Sequence, residues 1–261
     1  MSTLDSNYCL SLVRVIFCSL AFLVHSELGH AVKTSFNDQQ RGLVFGIGRS
    51  FPSLSPHSTQ FEPVKQLSGE DDNFTKLQDY ALYPSRIGLF WGGPFNTFHL
   101  YGRYLFNNKK TWNKLNAPTG VGRTTIKGMG VGAGLDLMLT GDTAARLMLS
   151  LSAEYIKNKA ILAFQPDLDN KETITLNSSN YLIGAGITGE LWLVDMWVLS
   201  LTTGYQHSLG GTWSVKSPGG DFFDVPREST TLYLEDGTTE ATSRFGGLFV
   251  EATLRLNFYF L

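Results

Sequence analysis

Residues 243–261 read SRFGGLFVEATLRLNFYFL, and this stretch decides how the chain folds. Leu248, Val250, Ala252, Leu254, Leu256, Phe258 and Phe260 are apolar at period two. Gly247, Phe249, Glu251, Thr253, Arg255, Asn257 and Tyr259 alternate with them and are mostly polar or bulky. Successive side chains of a strand point to opposite faces, so the pattern demands one face in oil and one elsewhere. A strand this long with no charge on its apolar face suggests a membrane-spanning β-barrel.

Seven earlier segments alternate in the same way: Arg41–Arg49, Ser85–Gly92, Asn96–Phe106, Thr125–Thr140, Ala145–Lys157, Asn180–Leu193 and Met196–His207. Gly93-Pro94-Phe95, Gly141–Ala144 and Val194-Asp195 are tight turns, whereas Ser50–Pro84, Asn107–Thr124, Asn158–Ser179 and Ser208–Thr242 are long and polar. Short and long connections alternate without exception, the asymmetry of a membrane barrel. The expected fold is all-β: an eight-stranded antiparallel transmembrane up-and-down barrel with short periplasmic turns and long extracellular loops. Aromatic residues give an independent sign. Tyr104, Tyr155, Tyr181 and Tyr205 fall on the apolar face at the long-loop end, and Trp91, Trp197 and Phe260 near the short-turn end. Two aromatic girdles around an aliphatic band are what membrane–water interfaces select.

Composition agrees. The chain has 261 residues, 27 glycines and 13% aromatics, which suits strands and turns better than helices. A net charge of −2 gives no reason to expect nucleic acid. Arg14 precedes the apolar run Val15–Val24, too short for a transmembrane helix, and small residues follow at Ser26 and Ala31. Residues 1–26 therefore read as a signal peptide, with cleavage as late as 31, and 27–261 as the barrel. Both cysteines, Cys9 and Cys18, fall in that leader, so a mature chain would hold no thiol or disulfide. Lys159–Gln165 and Lys171–Leu176 flank a turn at Pro166–Asn170, so two strands are expected either to run on past the bilayer or to give way to irregular loop. Asp72–Tyr80 reads as a short helix or as loop.

At this point the chain resembles the small outer-membrane barrel proteins of Gram-negative bacteria typified by OmpA, OmpX and OmpW. The resemblance is one of architecture over the whole mature chain, not of a diagnostic motif. It implies an outer-membrane location in contact with lipid and lipopolysaccharide, and insertion by the barrel-assembly machinery. That machinery usually reads a terminal aromatic; here Phe260 is penultimate and Leu261 last.

The opposite face carries Arg86, Arg103, Asp136, Glu154, Glu190, Glu251 and Arg255 at spanning depth. An eight-stranded barrel is just wide enough for side chains to fill, so these charges must pair. Counted from the short turns, Arg255 is expected near Asp136 or Glu190, and Arg86 or Arg103 near Glu154 or Glu251. Glycines at 46, 48, 128, 130, 132, 134, 184 and 186 leave space for large inward residues such as Phe90, Tyr101, Trp192 and Phe249, or else for a water-filled passage.

Chemistry-bearing motifs are weak. Gly128–Gly134 repeats glycine at period two, without the strand–helix junction of a dinucleotide loop, and Thr119–Thr124 has Arg123 where a phosphate-binding loop needs lysine. His207 and Ser208 are candidates for a lipid A acyl hydrolase or acyltransferase, but no carboxylate stands where it would orient His207. No His/Asp/Glu grouping has metal-ligand spacing, and no cofactor is expected. Lys109, Lys110, Lys114, Arg123, Lys127, Lys157 and Lys159 gather where strands leave the membrane and are candidates for lipopolysaccharide phosphates. The leading expectation is a structural or surface-interaction protein. A narrow channel for small or apolar solutes and a lipid A-modifying enzyme are the alternatives. Outward Gly102, Ala133, Ala153, Ala185 and Gly189 leave a homo-oligomer open.

Overall fold

The computed structural model describes residues 40–51, 82–93, 95–107, 110–114, 117–141, 144–165, 172–194, 196–217, 231, 240, 243 and 245–258. The expected leader with Cys9 and Cys18, the stretch Asp72–Tyr80, the turn Pro166–Asn170, Lys109 and Phe260 lie outside these residues. In chain order the strands are β1 (Gln40–Phe51), β2 (Leu82–Gly92), β3 (Asn96–Asn107), β4 (Lys110–Lys114), β5 (Ala117–Gly141), β6 (Ala145–Gln165), β7 (Glu172–Val194), β8 (Trp197–Ser208), β9 (Ser214–Ser217) and β10 (Gly247–Asn257).

Every pairing is antiparallel. The order β3-β2-β1-β10-β8-β7-β6-β5 is closed by β3 against β5, for example Gly102 against Val131, so eight strands form a complete ring. Closure matters because an open sheet edge cannot persist in hydrocarbon. The terminal strand pairs with the first, Arg255 opposite Val44 and Glu251 opposite Gly48. Gly141, at a φ of +133°, turns β5 into β6 where a Cβ would run into the Ala145 carbonyl.

Burial follows the sequence pattern but inverts the rule of soluble proteins. On β10 every second residue is buried, and these are the inward Gly247, Phe249, Glu251, Thr253, Arg255 and Asn257. Outward Ile47, Met129 and Val131 are 71%, 69% and 61% exposed, while inward Arg103, Glu190 and Arg255 are 5%, 1% and 1% exposed. A wall so apolar around a core so charged is stable only where the surrounding solvent is lipid. An arginine at outward Leu151 should therefore destabilise the barrel by about 2–4 kcal/mol in bilayer refolding titrations. Unchanged stability would mean that this wall is not in lipid.

Strand lengths divide the barrel into a span and a projection. A tilted strand needs about 9–11 residues to cross a bilayer. β1, β3 and β8 have 12 residues, and β2 and β10 have 11. β5, β6 and β7 have 25, 21 and 23, roughly twice what the bilayer requires. The connection Asn107–Thr124, expected to be a long polar loop, is thus mostly strand: β4 pairs with the start of β5, Lys110 opposite Thr124 and Lys114 opposite Ala117. Its glycine-rich, weakly alternating residues become strand because a partner supplies the ladder. The Ser208–Thr242 connection likewise contains β9, which pairs with β7 at Thr175–Asn177. Beyond the bilayer the β6–β7 hairpin runs on to Gln165 and Glu172, one of the two expected outcomes.

Candidate functional site

The lumen gathers all seven charged residues singled out from the sequence. Arg255 Nη2 lies 2.5 Å from Glu190 Oε1, with both side chains 1% exposed. Arg86 Nε lies 2.5 Å from Glu251 Oε1. Arg103 forms an ion pair with Glu154, which also accepts hydrogen bonds from Tyr101 Oη at 2.8 Å and Gln206 Nε2 at 3.0 Å. Asp136 Oδ2 stands 2.6 Å from His99 Nε2. Three of these arginines thus meet three glutamates, the arrangement that makes buried charge tolerable.

Cation stacking extends the network. The guanidinium of Arg255 is 5.2 Å from the Phe90 ring centroid, and that of Arg86 is 5.1 Å from Tyr101. Arg146, absent from the sequence-derived set, is fully buried next to the short turn and lies 4.9 Å from the Trp192 ring. It stands opposite Glu190 across the β6–β7 pair. The signal was an arginine at an inward position immediately after a turn. Below and beside the charges run hydroxyl contacts, Thr188 to Thr202 at 2.7 Å and Ser200 to Thr253.

Most of the inner glycines are occupied rather than empty, Gly134 beside the remaining cavity being the exception. A Cβ on Gly132 would meet Tyr101 at 2.6 Å, on Gly46 Glu251 at 2.5 Å, and on Gly128 Asn158 at 2.5 Å. Between His99, Asp136, Ser150 and Glu154 a cavity of about 30 Å³ persists, room for about two water molecules. Above it Asn180 ties the mouth: its Nδ2 donates to the Ser243 carbonyl at 2.6 Å, and it accepts from Asn158 Nδ2 at 2.9 Å. From that height upward the interior turns apolar, with Ile126, Ile156, Ala160, Ile174, Leu176 and Trp213 buried. Trp213 comes from the β8–β10 connection and meets Phe245 edge-on at 5.9 Å. Nothing in the local sequence of that connection marked Trp213 as a plug.

Most of the remaining described candidates fall on the outer wall. Tyr104, Tyr181, Trp91 and Trp197 are exposed, and Tyr155 and Tyr205 are half-buried; Tyr155 and Tyr181 pair across β6–β7 with rings 5.0 Å apart. Arg123, Lys127, Lys157 and Lys159 are exposed, and Lys110 and Lys114 lie on β4. His207 and Ser208 are not brought together. As consecutive strand residues they face opposite ways: His207 outward and exposed, Ser208 inward and buried. The Ser208 hydroxyl accepts from Asn180 Nδ2 at 3.3 Å and the Gly210 amide at 3.4 Å, a structural setting rather than that of an activated nucleophile.

A closed ring of eight antiparallel strands, apolar outside and charged inside, defines a transmembrane up-and-down β-barrel. No protein-family model and no curated protein matches the chain. Among solved structures it is similar to a major outer membrane protein from Thermus thermophilus, at 11% identity over 82% of this chain and 98% of that one, TM-score 0.46. It is also similar to Ail, the attachment invasion locus protein of Yersinia pestis (9% identity, 85% and 99% covered, TM-score 0.35). A third likeness is to the transport unit of the autotransporter AIDA-I from Escherichia coli (10% identity, 93% and 97% covered, TM-score 0.27). The fold rests on the strand registers above, not on these likenesses.

Proposed function

We propose that the chain is a sealed outer-membrane barrel with a structural or surface-interaction role, exported with a cleaved signal peptide. Its short turns would face the periplasm, and the projecting β5–β6–β7 sheet would meet lipopolysaccharide and other envelope or cell-surface partners. One observation carries this reading. The lumen is filled by paired side chains at spanning depth and closed above by an apolar layer, while strands about twice the required length project on that same side. Such a body positions a surface rather than passing a solute. The outward tyrosines and tryptophans serve as girdles at the two interfaces.

In planar bilayers the folded barrel is expected to give no discrete conductance steps at neutral pH, with folding verified by heat-modified gel mobility. Regular steps would establish the conduit instead. Reversing the cations between the end of β3 and the start of β5, Lys109, Lys110, Lys114 and Arg123, should lower the lipopolysaccharide that co-purifies; unchanged recovery would remove that stretch from the contact.

A further inference from the structure

Two features of the outer wall meet at one corner. The first is an apolar groove of about 720 Å³ crossing the outside of β8, β10, β1, β2, β3 and β5. Phe45, Ile47, Ile87, Gly102, Met129 and Ala252 are among the residues that line it. A Cβ on Gly102 would find nothing nearer than 3.9 Å, so the missing side chain is a hollow and not a packed contact. The register gives the groove a direction. Ala252 pairs with Ile47, Ile47 with Ser85, Ser85 with Tyr104 and Tyr104 with Met129. Because barrel strands tilt, this row climbs from the low end of β8 toward the projecting end at β5. The next residue in it is Lys157, opposite Met129.

The second feature is charge. Lys127 stands directly opposite Lys159 across β5–β6, the next outward-facing pair above Lys157, and all three are exposed. Like charges directly opposite destabilise a sheet. Among the described residues, no aspartate or glutamate holds an outward position on β3, β5, β6 or β7. The neighbours instead are Phe106 opposite Lys127, and Asn177 and Ser179 opposite Lys159 and Lys157. Phe106 stacks with Tyr83 at 5.6 Å and with Tyr104 at 5.9 Å. Tyr155, paired with Tyr181, lies just below Lys157. Aromatics of this kind mark headgroup height.

We infer that this corner binds one anionic lipid: a headgroup phosphate bridges Lys127 and Lys159 with Lys157 as the third donor, and an acyl chain lies in the groove over Gly102. The inference rests on the membrane reading above and adds a fixed lipid site to it. A free anion would account for the lysines and leave the groove unexplained. A second barrel seated in the groove would bring the outer faces of its strands, which among the described residues carry no outward carboxylate to relieve the Lys127–Lys159 repulsion. A lipid with phosphate and acyl chain answers both.

The test uses the full barrel in phosphatidylcholine nanodiscs doped with phosphorylated glycolipid or phosphatidylglycerol, with bound lipid counted by native mass spectrometry. Lys127→Glu with Lys159→Glu should cut retained anionic lipid by about tenfold or more. Lys127→Glu alone should lower retention yet raise the unfolding midpoint, since it sets opposite charges across the strand pair. A merely structural lysine would move both readouts together, and that result overturns the site. Gly102→Leu, which fills the hollow outward, should weaken retention of long-chain lipid while a short-chain analogue with the same headgroup binds as before. Equal binding of inorganic phosphate and lipid, or long-chain retention unchanged by Gly102→Leu, overturns the lipid assignment. Conductance plays no part in this readout, so a barrel that conducts defeats the sealed-barrel reading without touching the site.

Discussion

Glu190→Ala should destabilise the barrel by about 3–5 kcal/mol, the largest loss expected from any single lumen carboxylate. Glu190 and Arg255 are both 1% exposed, and their ion pair at 2.5 Å lies at the narrow end near the short turns. Arg255 is held over Phe90, and Arg146, opposite Glu190 in register, over Trp192. Removing the carboxylate leaves guanidinium charge enclosed by rings and backbone, where water cannot replace the lost partner at low cost. The corresponding double change, Glu190→Leu with Arg255→Met, should recover most of the loss, because replacing a buried pair by apolar groups of similar volume is nearly neutral. Denaturant unfolding in detergent, read as a double-mutant cycle, checks both statements. A single variant as stable as wild type, or a double variant worse than either single one, would show that the charges do not act as a pair.

What could be read from the sequence follows from there being two solvents. A strand between lipid and a packed lumen must alternate strictly, so Leu248 to Leu256 and Leu43 to Ile47 declare their faces without any knowledge of neighbours. Height could be read as well, since short turns fix a common floor from which Arg255 and Glu190 count to similar levels. Partner choice could not. Whether Arg86 reaches Glu251 or Glu154 depends on barrel closure and shear, which no single strand encodes. Arg146 was missed for a related reason: it begins β6 beside a turn, where an exposed charge is the ordinary expectation, and only pairing with β7 buries it under Trp192. The strand from Ala117 to Thr124 was hidden because its pattern is weak and its order comes from β4. Beyond the bilayer, water on the outer face removes the demand for strict alternation, and the sequence signal fades with it.

Trp213→Ala is expected to cost about 3–5 kcal/mol, with the damage concentrated at the mouth. The indole is fully buried yet comes from a connecting segment, and three hydrogen bonds tie the nearby chain down. Ser243 N donates to the Gly211 carbonyl at 2.7 Å, Asn180 Nδ2 to the Ser243 carbonyl at 2.6 Å, and Ser243 Oγ to Asn180 Oδ1 at 3.2 Å. Without the ring, those bonds close around a hole beside Phe245, and the segment gains more entropy by opening than it loses in contacts. Amide exchange should therefore accelerate over Leu209–Ser217 and around Ser243, while β1, β2 and the short-turn ends keep their protection. Heat-modified mobility should persist, because the lumen ion pairs lie deeper and are untouched. The same variant separates two accounts of closure. If the apolar layer is the seal, brief conductance events should appear once it loosens; if the ionic layer alone seals, the bilayer current stays flat. Unaltered exchange at Leu209–Ser217 would mean that the indole does not hold the mouth shut.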